Sequence, residues 1–291
     1  MTTRAARPFE VRQATRKDAE TIAKMFQESW PIAWETAEKV RMQFDILDLA
    51  QGQVLVAAIG DKVVGHCEFI PSMEPPPYGN YGCVEVLEVH RGYRRMGIGT
   101  ALVEQAMDIC RKAGLERFET VPEDERSEAL YAKVGMRTIE RFLSLSLALR
   151  EVPPVNGVVV KDELGTKERP WETMHHAIGH MFCASYPWSS AFHRKVAGSE
   201  GYEKVFAQHI ARGEAEGVVF FDRAHLHIFV KPQETEEAVK AFFQYGAFQV
   251  LKQKRASIYV NVPFALADTV RAVPGVFQSE GHFLYRMSTD L

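Results

Sequence analysis

The sequence predicts an α/β (α+β) protein of two related lobes, each with a mixed, mainly antiparallel central sheet flanked by helices. Three observations lead to this prediction. Strand-like apolar runs alternate with amphipathic helical stretches through the first half. Residues 151–157 contain two prolines and break every period. The second half repeats several earlier local patterns, and 291 residues are enough for two lobes.

Caps, turns and periodicity predict the elements of the first half. Thr15 precedes acidic residues and predicts a helix start. Gly60 lies in a turn between two strands, and Gly114 follows a helix in the position that ends it. Three consecutive prolines predict a loop at residues 73–80. The predicted order is strand 9–12, a helix from Thr15 to Pro31, helix 34–49, a hairpin of strands 54–59 and 63–70, loop 73–80, strand 83–89, basic loop 91–95, helix 97–113, strand 117–121, helix 127–134 and strand 138–149.

We expect a domain boundary at residue 150, which gives lobes of residues 1–150 and 151–291. The two halves share a spacing, because Val89 and Val121 lie 32 positions apart and so do Val230 and Val262. Since several such matches keep one order and one spacing, a duplication is favoured over coincidence.

Composition narrows the class of protein. Hydrophobic residues make up 46% of the chain and charged residues 25%, as is typical of a globular protein. The net charge of -3 supplies no basic field for nucleic acid. The longest apolar run in the middle of the chain, residues 142–149, is too short to cross a bilayer. We therefore expect no nucleic-acid or membrane partner, and we leave both a monomer and a homodimer open.

The four cysteines have spacings that fit neither a disulfide framework nor a paired-cysteine zinc site. They are Cys67, Cys83, Cys110 and Cys183. Free thiols in a reducing cytoplasm are the simplest interpretation, and the N-terminus carries no apolar segment of a secretory signal. We expect a cytoplasmic protein without a bound metal.

The most informative segment is Arg94-x-x-Gly97-x-Gly99, which follows a predicted strand and opens a predicted helix. Glycines let the backbone turn sharply and approach a ligand closely, and the free N–H groups of a helix's first turn attract an anion. Together with the arginines, this pattern predicts a pyrophosphate cradle. A nucleotide P-loop would need Gly-Lys-Ser/Thr at the helix start, and a dinucleotide fold would place its glycines near the first strand.

This motif resembles the coenzyme-binding motif of the GNAT acetyltransferases. A second stretch, residues 127–136, resembles that family's signature Tyr-x-Lys-x-Gly-Phe, with Met136 where phenylalanine is usual. The resemblance covers about residues 9–149 and implies acetyl-CoA as the acyl donor. It also implies a set of coenzyme-binding residues. These are Leu87, Val89, Arg94, Arg95, Met96, Gly97, Ile98, Gly99, Thr100, Asp124, Ser127 and Tyr131, where Asp124 stands near the position at which an asparagine often contacts the pantetheine arm.

The resemblance further implies direct acyl transfer to an amine in a ternary complex. Tyr131 matches the family's proton donor for the departing thiolate, although it could merely pack under the coenzyme. A backbone N–H near residues 87–89 would stabilise the oxyanion. Glu85 shares a strand face with Leu87 and is the favoured base, with a structural role as the alternative.

Other candidates for the base or nucleophile remain on nearby strands. His66 and Glu68 share a face of the neighbouring strand and are rival bases. Glu88 points to the opposite face from Glu85 and is expected to be solvated or paired with an arginine. Cys83 could suggest an acyl-cysteine intermediate, but the sequence indicates no partner set for it, and we discount that role.

In the second lobe, the positions that match Arg94, Gly97 and Gly99 are Thr235, Ala238 and Lys240. Three glutamates occupy that stretch and would repel a pyrophosphate. No tyrosine corresponds to Tyr131. We therefore expect a degenerate copy with a structural or substrate-binding role, a plan that tandem enzymes such as mycothiol synthase resemble.

The second half is also rich in histidine. We expect His175, His176 and His180 on one helix, where the last two could hold zinc but more simply line a helix face. His225 and His227 share a strand face. With the aromatic residues Trp171, Tyr186 and Trp188, they could line a pocket between lobes.

The sequence favours an N-acyltransferase that acts on a small-molecule amine or a peptide amine. The alternative is a non-catalytic acetyl-CoA sensor, which need not keep Tyr131 and a usable base. A nucleic-acid-associated protein is disfavoured because no basic stripe lies outside the coenzyme loop.

Overall fold

A computed structural model describes residues 8–30, 35–179 and 183–291. The chain forms two compact units, and neither is continuous in sequence. The first comprises residues 1–71, 81–137 and 287–291, and the second comprises residues 72–80 and 138–286. This division differs from a single boundary at residue 150, because strand 137–149 and the last residues of the chain belong to different units from those expected.

The first unit contains a sheet with helices that follow its strands. Thr36 caps the second helix by accepting a hydrogen bond from the Lys39 backbone N–H at 3.2 Å. Pro31 and Trp34, the expected end and start of the first two helices, lie outside the described residues. The elements are β1 (Glu10–Gln13), α1 (Ala19–Ser29), α2 (Ala37–Leu49), β2 (Gln53–Ile59), β3 (Lys62–Glu74), β4 (Gly79–Val89), α3 (Ile98–Lys112), β5 (Arg117–Thr120) and α4 (Glu125–Lys133).

The strands of the first unit follow the order β1-β2-β3-β4-β5. The pairs β1–β2 and β2–β3 are antiparallel, whereas β4 and β5 are parallel. The end of the chain adds a further antiparallel partner to β5, with Met287 opposite Thr120. Helix α3 packs Ile98 and Leu102 against this sheet so closely that a Cβ on Gly65 would lie 2.6 Å from the Ile98 side chain. Gly65 is therefore required by packing.

The predicted bounds of the loop at residues 73–80 are wrong at both ends. Met73 and Glu74 extend β3, and Gly79 already begins β4, so that only a four-residue turn separates them. The prolines interrupt regular structure only within this turn. Pairing of the flanking strands extends the hairpin beyond the range that the prolines suggest.

Most of the remaining strands and helices lie in the second unit. Its described elements are β6 (Arg137–Leu149), β7 (Val158–Glu163), β8 (His175–Ile178), α5 (Ser185–Val196), β9 (Phe206–Arg212), β10 (Ala215–Phe221), β11 (Leu226–Val230), α6 (Glu236–Lys252), β12 (Ser257–Pro263), α7 (Ala267–Arg271) and β13 (Val276–Asp290). One sheet has the order β7-β9-β10-β11-β8, and its named pairs are all antiparallel. Strand β6 pairs with β12, with Leu145 opposite Val260.

The repeat is visible in the order of elements. Two antiparallel strands, a third strand, a long helix, a strand, a short helix and a final strand occur as β2 to β6 and again as β9 to β13. The two final strands are exchanged. Strand β6 pairs with β12 of the second repeat, while the end of β13 pairs with β5 of the first. This exchange explains why each compact unit includes a segment from the other half of the sequence.

The histidine-rich helix expected around residues 175–180 is not formed. His175 and His176 lie on β8, opposite Val230 and Phe229 of β11, and His180 lies outside the described residues. The expected spacing would have placed His176 and His180 one turn apart on a helix, whereas β8 is a strand, whose successive side chains alternate between its two faces. The helical metal-binding spacing therefore does not apply.

Each unit buries an apolar core, and the expected aromatic pocket residues are divided between core and surface. Trp171 and Trp188 are buried, with ring centroids 5.9 Å apart. Tyr186 is only partly buried. All four cysteines are buried, and none of them forms a disulfide bond. Among the described residues, no helix is both long and apolar enough to cross a membrane.

Candidate functional site

The two parallel strands of the first unit diverge after a short paired stretch. Cα partners run from Tyr81 opposite Arg117 to Cys83 opposite Glu119, and β4 then continues alone to Val89 along this edge. Backbone groups of residues 84–89 that would face β5 in a continuous ladder are therefore left open to another partner. Leu87 and Val89, both expected to contact coenzyme, lie on this open part of β4.

The loop after β4 is held in shape by its own side chains. His90 accepts a hydrogen bond from the Gly92 backbone N–H at its Nδ1, 3.1 Å away, and its Nε2 lies 2.6 Å from a Glu28 carboxylate oxygen. Because Nδ1 accepts, the ring proton lies on Nε2 and is donated to Glu28. This hydrogen bond holds the pKa of Glu28 below its ordinary value. The loop is thus anchored to α1 by His90, a role that the sequence did not reveal.

Arg94 also stabilises the loop. Its Nε donates to the Val89 carbonyl at 3.0 Å, and its guanidinium lies 3.1 Å from a Glu88 carboxylate oxygen. The prediction that Glu88 pairs with an arginine is therefore confirmed. Burial raises the pKa of Glu88, and the ion pair with Arg94 opposes this effect only in part. The motif arginine ties the loop to β4, and its charge is largely offset by Glu88.

Glycine is required at the two motif positions for different reasons. Gly97 precedes α3 with φ of 81°, and a Cβ built there would meet no heavy atom within 4 Å. Its need for glycine is conformational, and it leaves open space at the helix start. Gly99 lies inside the first turn, where a Cβ would be 2.7 Å from Cδ1 of Leu130. Gly99 therefore permits close packing of α3 on α4.

A cavity of about 750 Å³ opens between the loop, α3 and α4, and we call it the first cavity. Its size lies within the range of small-molecule and cofactor sites. Eleven of the twelve residues expected to contact coenzyme line it; Met96 does not, and its side chain is 43% exposed. The lining residues are Leu87, Glu88, Val89, Arg94, Arg95, Gly97, Ile98, Gly99, Thr100, Glu123, Asp124, Arg126, Ser127, Ala129, Leu130, Tyr131 and Lys133.

Three cations of the first cavity form no direct ion pair with a carboxylate among the described residues, although Arg126 interacts electrostatically with Asp124. Arg95 comes from the loop, and Arg126 and Lys133 come from α4. Residues 126, 130 and 133 follow the helical spacing, so one face of α4 lines the cavity. This spacing was available in the sequence, but the family motif drew attention to Tyr131 and not to its neighbours. These cations and the N–H groups of the first turn of α3 suit a polyanion.

Asp124 and Ser127 line the first cavity, but they primarily begin α4. The Asp124 Oδ1 accepts from the Ser127 backbone N–H at 2.8 Å, and the Ser127 Oγ accepts from the Asp124 N–H at 2.9 Å. These reciprocal hydrogen bonds form a capping box. They also hold the pKa of Asp124 below its ordinary value. Both side chains are occupied by the helix start, so any ligand contact they make must be shared with this role.

Tyr131 lies on the inner face of α4, is 4% exposed and lines the first cavity. Burial raises the pKa of its phenol well above the ordinary value, and a hydrogen bond with Thr120 opposes the shift only in part. The phenol is therefore a neutral proton and hydrogen-bond donor across the physiological pH range.

The candidate bases lie apart from the first cavity's lining. Glu85 is on β4, two residues before Leu87 and half-buried, but it is not a lining residue. His66 and Glu68 are buried on β3, with Nε2 of His66 2.8 Å from a Glu68 carboxylate oxygen. Gln43 of α2 donates to the other Glu68 oxygen at 2.7 Å. The His66–Glu68 pair is a buried polar network that links β3 to α2.

The corresponding helix start in the second unit is built differently. Thr235 caps α6 by accepting from the Ala238 backbone N–H at 3.2 Å. Glu236 and Glu237 then occupy the first turn, where negative charge satisfies the helix dipole. This helix start is already capped and carries negative charge of its own, unlike that of α3.

Comparison with known proteins agrees with this geometry. Residues 19–136 match the sequence model of the acetyltransferase (GNAT) family. This part of the chain is a GNAT acetyltransferase domain. Its motif residues Arg94, Gly97 and Gly99 all fall within the matched range.

Solved structures resemble the fold along nearly the whole chain. A putative acetyltransferase from Pyrococcus horikoshii matches with a TM-score of 0.60 at 17% identity, over 100% of this chain and 92% of that one. A GCN5-related N-acetyltransferase from Anabaena variabilis matches with a TM-score of 0.64 at 12% identity, over 96% and 72%. A tandem GNAT protein from the clavulanic acid biosynthesis pathway matches with a TM-score of 0.55 at 15% identity, over 97% and 98%. The fold is that of GNAT proteins with two lobes; the likeness to mycothiol synthase stays a prediction.

Proposed function

We propose that the protein is an N-acyltransferase that moves an acetyl or short acyl group from acetyl-CoA to an amine of a small molecule or peptide. The observation that carries the proposal is the first cavity. It combines an anion-binding helix start, an open strand edge and a buried phenol in one unit. A coenzyme sensor needs the first two features but has no use for the third.

Acetyl-CoA would enter as a substrate, and the residues present fit it. The pyrophosphate would meet the N–H groups after Gly97, with Arg95, Arg126 and Lys133 supplying positive charge. The pantetheine arm carries amide groups that can pair with the open edge of β4 as a missing strand would. The thioester would then lie near Leu87, within reach of the backbone N–H groups expected to stabilise an oxyanion.

The reaction would proceed by attack of the neutral amine on the thioester carbonyl. A C–N bond forms, the carbonyl oxygen becomes an oxyanion, and the C–S bond breaks as the thiolate leaves. The amine's proton must go to a base or to water, since an ammonium ion has no lone pair. Glu85 remains our proposed base, acting through water because it does not line the first cavity.

The environment of Tyr131 sharpens its proposed role. Its pKa is raised above the ordinary value, while an ordinary thiol has a pKa of about 8.5. Complete transfer of the phenolic proton to the thiolate would therefore be uphill. Tyr131 acts by donating a hydrogen bond to the sulfur as negative charge develops there, and the thiolate is finally protonated from solvent.

The experiment measures thiol release from acetyl-CoA with a panel of amines and short peptides. Tyr131→Phe should lower kcat about 100-fold while leaving the affinity for coenzyme A within about twofold. Tyr245→Phe is the matched control, because its hydroxyl donates to Gln208 at 2.8 Å in the second unit. If acetyl-CoA binds but no amine gives Tyr131-dependent thiol release, the protein is a sensor and the proposed activity is wrong.

The base is tested separately. Glu85→Gln should shift the pH dependence of kcat/KM towards higher pH, because more of the amine must then lose its proton without help. His66→Gln should lower stability without moving that profile, since His66 belongs to a buried network. A pH profile that moves with His66 and not with Glu85 would reverse the assignment.

A further inference from the structure

The second unit contains a cavity of about 530 Å³ that the proposed acyl transfer does not use. We call it the second cavity. It is lined by the turn between β10 and β11, by residues of α5 and by parts of the segments before β9 and β12. Its polar lining includes Asp222, His225, Arg223 and Arg255, and its rings include Tyr186 and Tyr202.

Asp222 is fully engaged by its neighbours. Its Oδ1 accepts from the Ala224 backbone N–H at 2.9 Å and from the His225 N–H at 2.7 Å. Its Oδ2 lies 3.2 Å from Nδ1 of His225 and 3.2 Å from Nε2 of His227. Burial raises the pKa of Asp222, but the imidazole hydrogen bonds outweigh it and hold the pKa well below the usual range. The carboxylate organises the turn and leaves no free oxygen for a cationic ligand.

The pKa values of the two histidines bonded to Asp222 shift in opposite directions. Burial lowers the pKa of His225, but the hydrogen bond that His225 donates to Asp222 and the negative charge of this carboxylate together outweigh burial, and the net shift is upward. His225 is 43% exposed at its side chain, and with Nδ1 bound to Asp222 only Nε2 remains for a ligand. His227 is buried, its pKa is lowered by burial, and its Nδ1 lies 3.0 Å from Nε2 of His176. Nε2 of His225 is therefore the imidazole nitrogen that a ligand in the second cavity can reach, and it donates a hydrogen bond when the ring is protonated.

Two arginines complete the positive lining. Neither Arg223 nor Arg255 forms an ion pair with a carboxylate in the part of the chain that the structure describes. Arg223 lies over the ring of Tyr202 at 5.3 Å from its centroid, which holds the guanidinium in place. Gly201 leaves room for this position, because a Cβ there would lie 2.9 Å from Nε of Arg223. Arg223 is thus positioned without an ion pair, whereas Arg255 interacts electrostatically with Glu203.

We propose that the second cavity binds a small organic anion whose carboxylate is carried on a flat ring. The carboxylate would be held by Arg223, Arg255 and Nε2 of protonated His225, and Asp222 does not compete for these donors with a free oxygen because the turn and the two histidines already engage both of its oxygens. The ring would pack against Tyr186, while Tyr202 holds Arg223 in place beside it. Asp222 acts as a positioning residue that orients His225.

Benzoate is the probe, titrated into the full chain and followed by ligand-observed NMR. We expect saturable binding at one site, with benzamide and acetate each at least about tenfold weaker because one lacks the charge and the other lacks the ring. Arg223→Gln and Arg255→Gln should each weaken benzoate about tenfold or more. Arg212→Gln is the matched control, since Arg212 pairs with Glu237 at 3.5 Å and does not line the second cavity.

Thermal unfolding of each variant shows whether it is folded. Because Arg223 and Arg255 are substituted independently, the test still holds if one of the two variants does not fold. Equal affinities for benzoate and benzamide would overturn an anion site, and equal affinities for benzoate and acetate would overturn the ring contact. If the Arg223 and Arg255 variants bind benzoate as the Arg212 variant does, the probe binds elsewhere and the proposal is wrong.

Discussion

Gly97 and Gly114 lie at opposite ends of α3 and provide a matched pair of substitutions. Their φ angles are 81° and 80°, and in both cases a Cβ would meet nothing within 4 Å. An alanine at either position is forced into the left-handed region at a cost of about 1–2 kcal/mol, with no steric term to add. The two substitutions therefore impose the same backbone strain, one beside the first cavity and one away from it.

Equal strain predicts equal loss of stability. Gly97→Ala and Gly114→Ala should each lower Tm by about 2–4 °C, which calorimetry can measure. Only Gly97→Ala should weaken coenzyme A, by about tenfold or more (about 1.4 kcal/mol), because its methyl group would occupy the space through which a pyrophosphate reaches the helix N–H groups. Isothermal titration with coenzyme A measures this difference.

Gly99→Ala extends the comparison to packing. Its methyl group would press on the flexible end of Leu130, so the cost should be small and should fall when Leu130→Ala is added. The reasoning is refuted if Gly97→Ala and Gly114→Ala lower Tm by the same amount but Gly97→Ala binds coenzyme A with the affinity of the wild type. Glycine at 97 would then serve the backbone alone.

Three further predictions concern single carboxylates. Asp124→Ala removes the cap of α4 and should cost about 0.5–2 kcal/mol of unfolding free energy in urea titrations. Asp18 has a pKa lowered to about 2 by its hydrogen bonds with Arg12. The charged Asp18 carboxylate stabilises the fold above pH 4, and this stabilisation is lost as the pH falls through 2. The difference in unfolding free energy between the wild type and Asp18→Asn, about 1 kcal/mol after screening, should therefore vanish below pH 2. Asp222→Asn should move the pKa of His225 from above its ordinary value to below it in NMR titrations, since burial alone then acts.

The coenzyme motif could be predicted because its determinants are local. Gly97 must adopt a positive φ, and a strand, loop and helix follow one another within a few residues. The anchoring of the same loop by His90 could not be predicted. His90 meets Glu28 across 62 positions of sequence, and a lone histidine carries no pattern that names its partner. Asp124 shows the converse case, since the family position suggested a ligand contact, which stays a prediction, and the local sequence Asp-x-x-Ser also forms a helix cap.

The exchange of the two final strands and the strand conformation of β8 could not be predicted from the sequence, for a related reason. Alternation predicted that residues 138–149 form a strand, but it holds no information on which repeat supplies its partner. The pair of histidines at 175 and 176 fitted a helical spacing with His180. Their position opposite Val230 and Phe229 depends on β11, some 50 residues further along the chain. Pairing over such distances is decided by the whole fold.

Two features of the second lobe differ from the corresponding features of the first cavity. At the start of α6, Thr235 and two glutamates already satisfy the helix end that α3 leaves open. Beside β11, the edge that stays open along β4 is covered, because β8 pairs with β11 and the N–H of Gly179 donates to the Asn261 carbonyl of β12 at 2.7 Å. Restoring a glycine-rich loop at residues 235–240 would therefore supply a phosphate site but no room for a pantetheine arm. Strand β8 is a larger obstacle to a coenzyme site than the acidic start of α6, because its removal would expose backbone groups that now have hydrogen-bond partners.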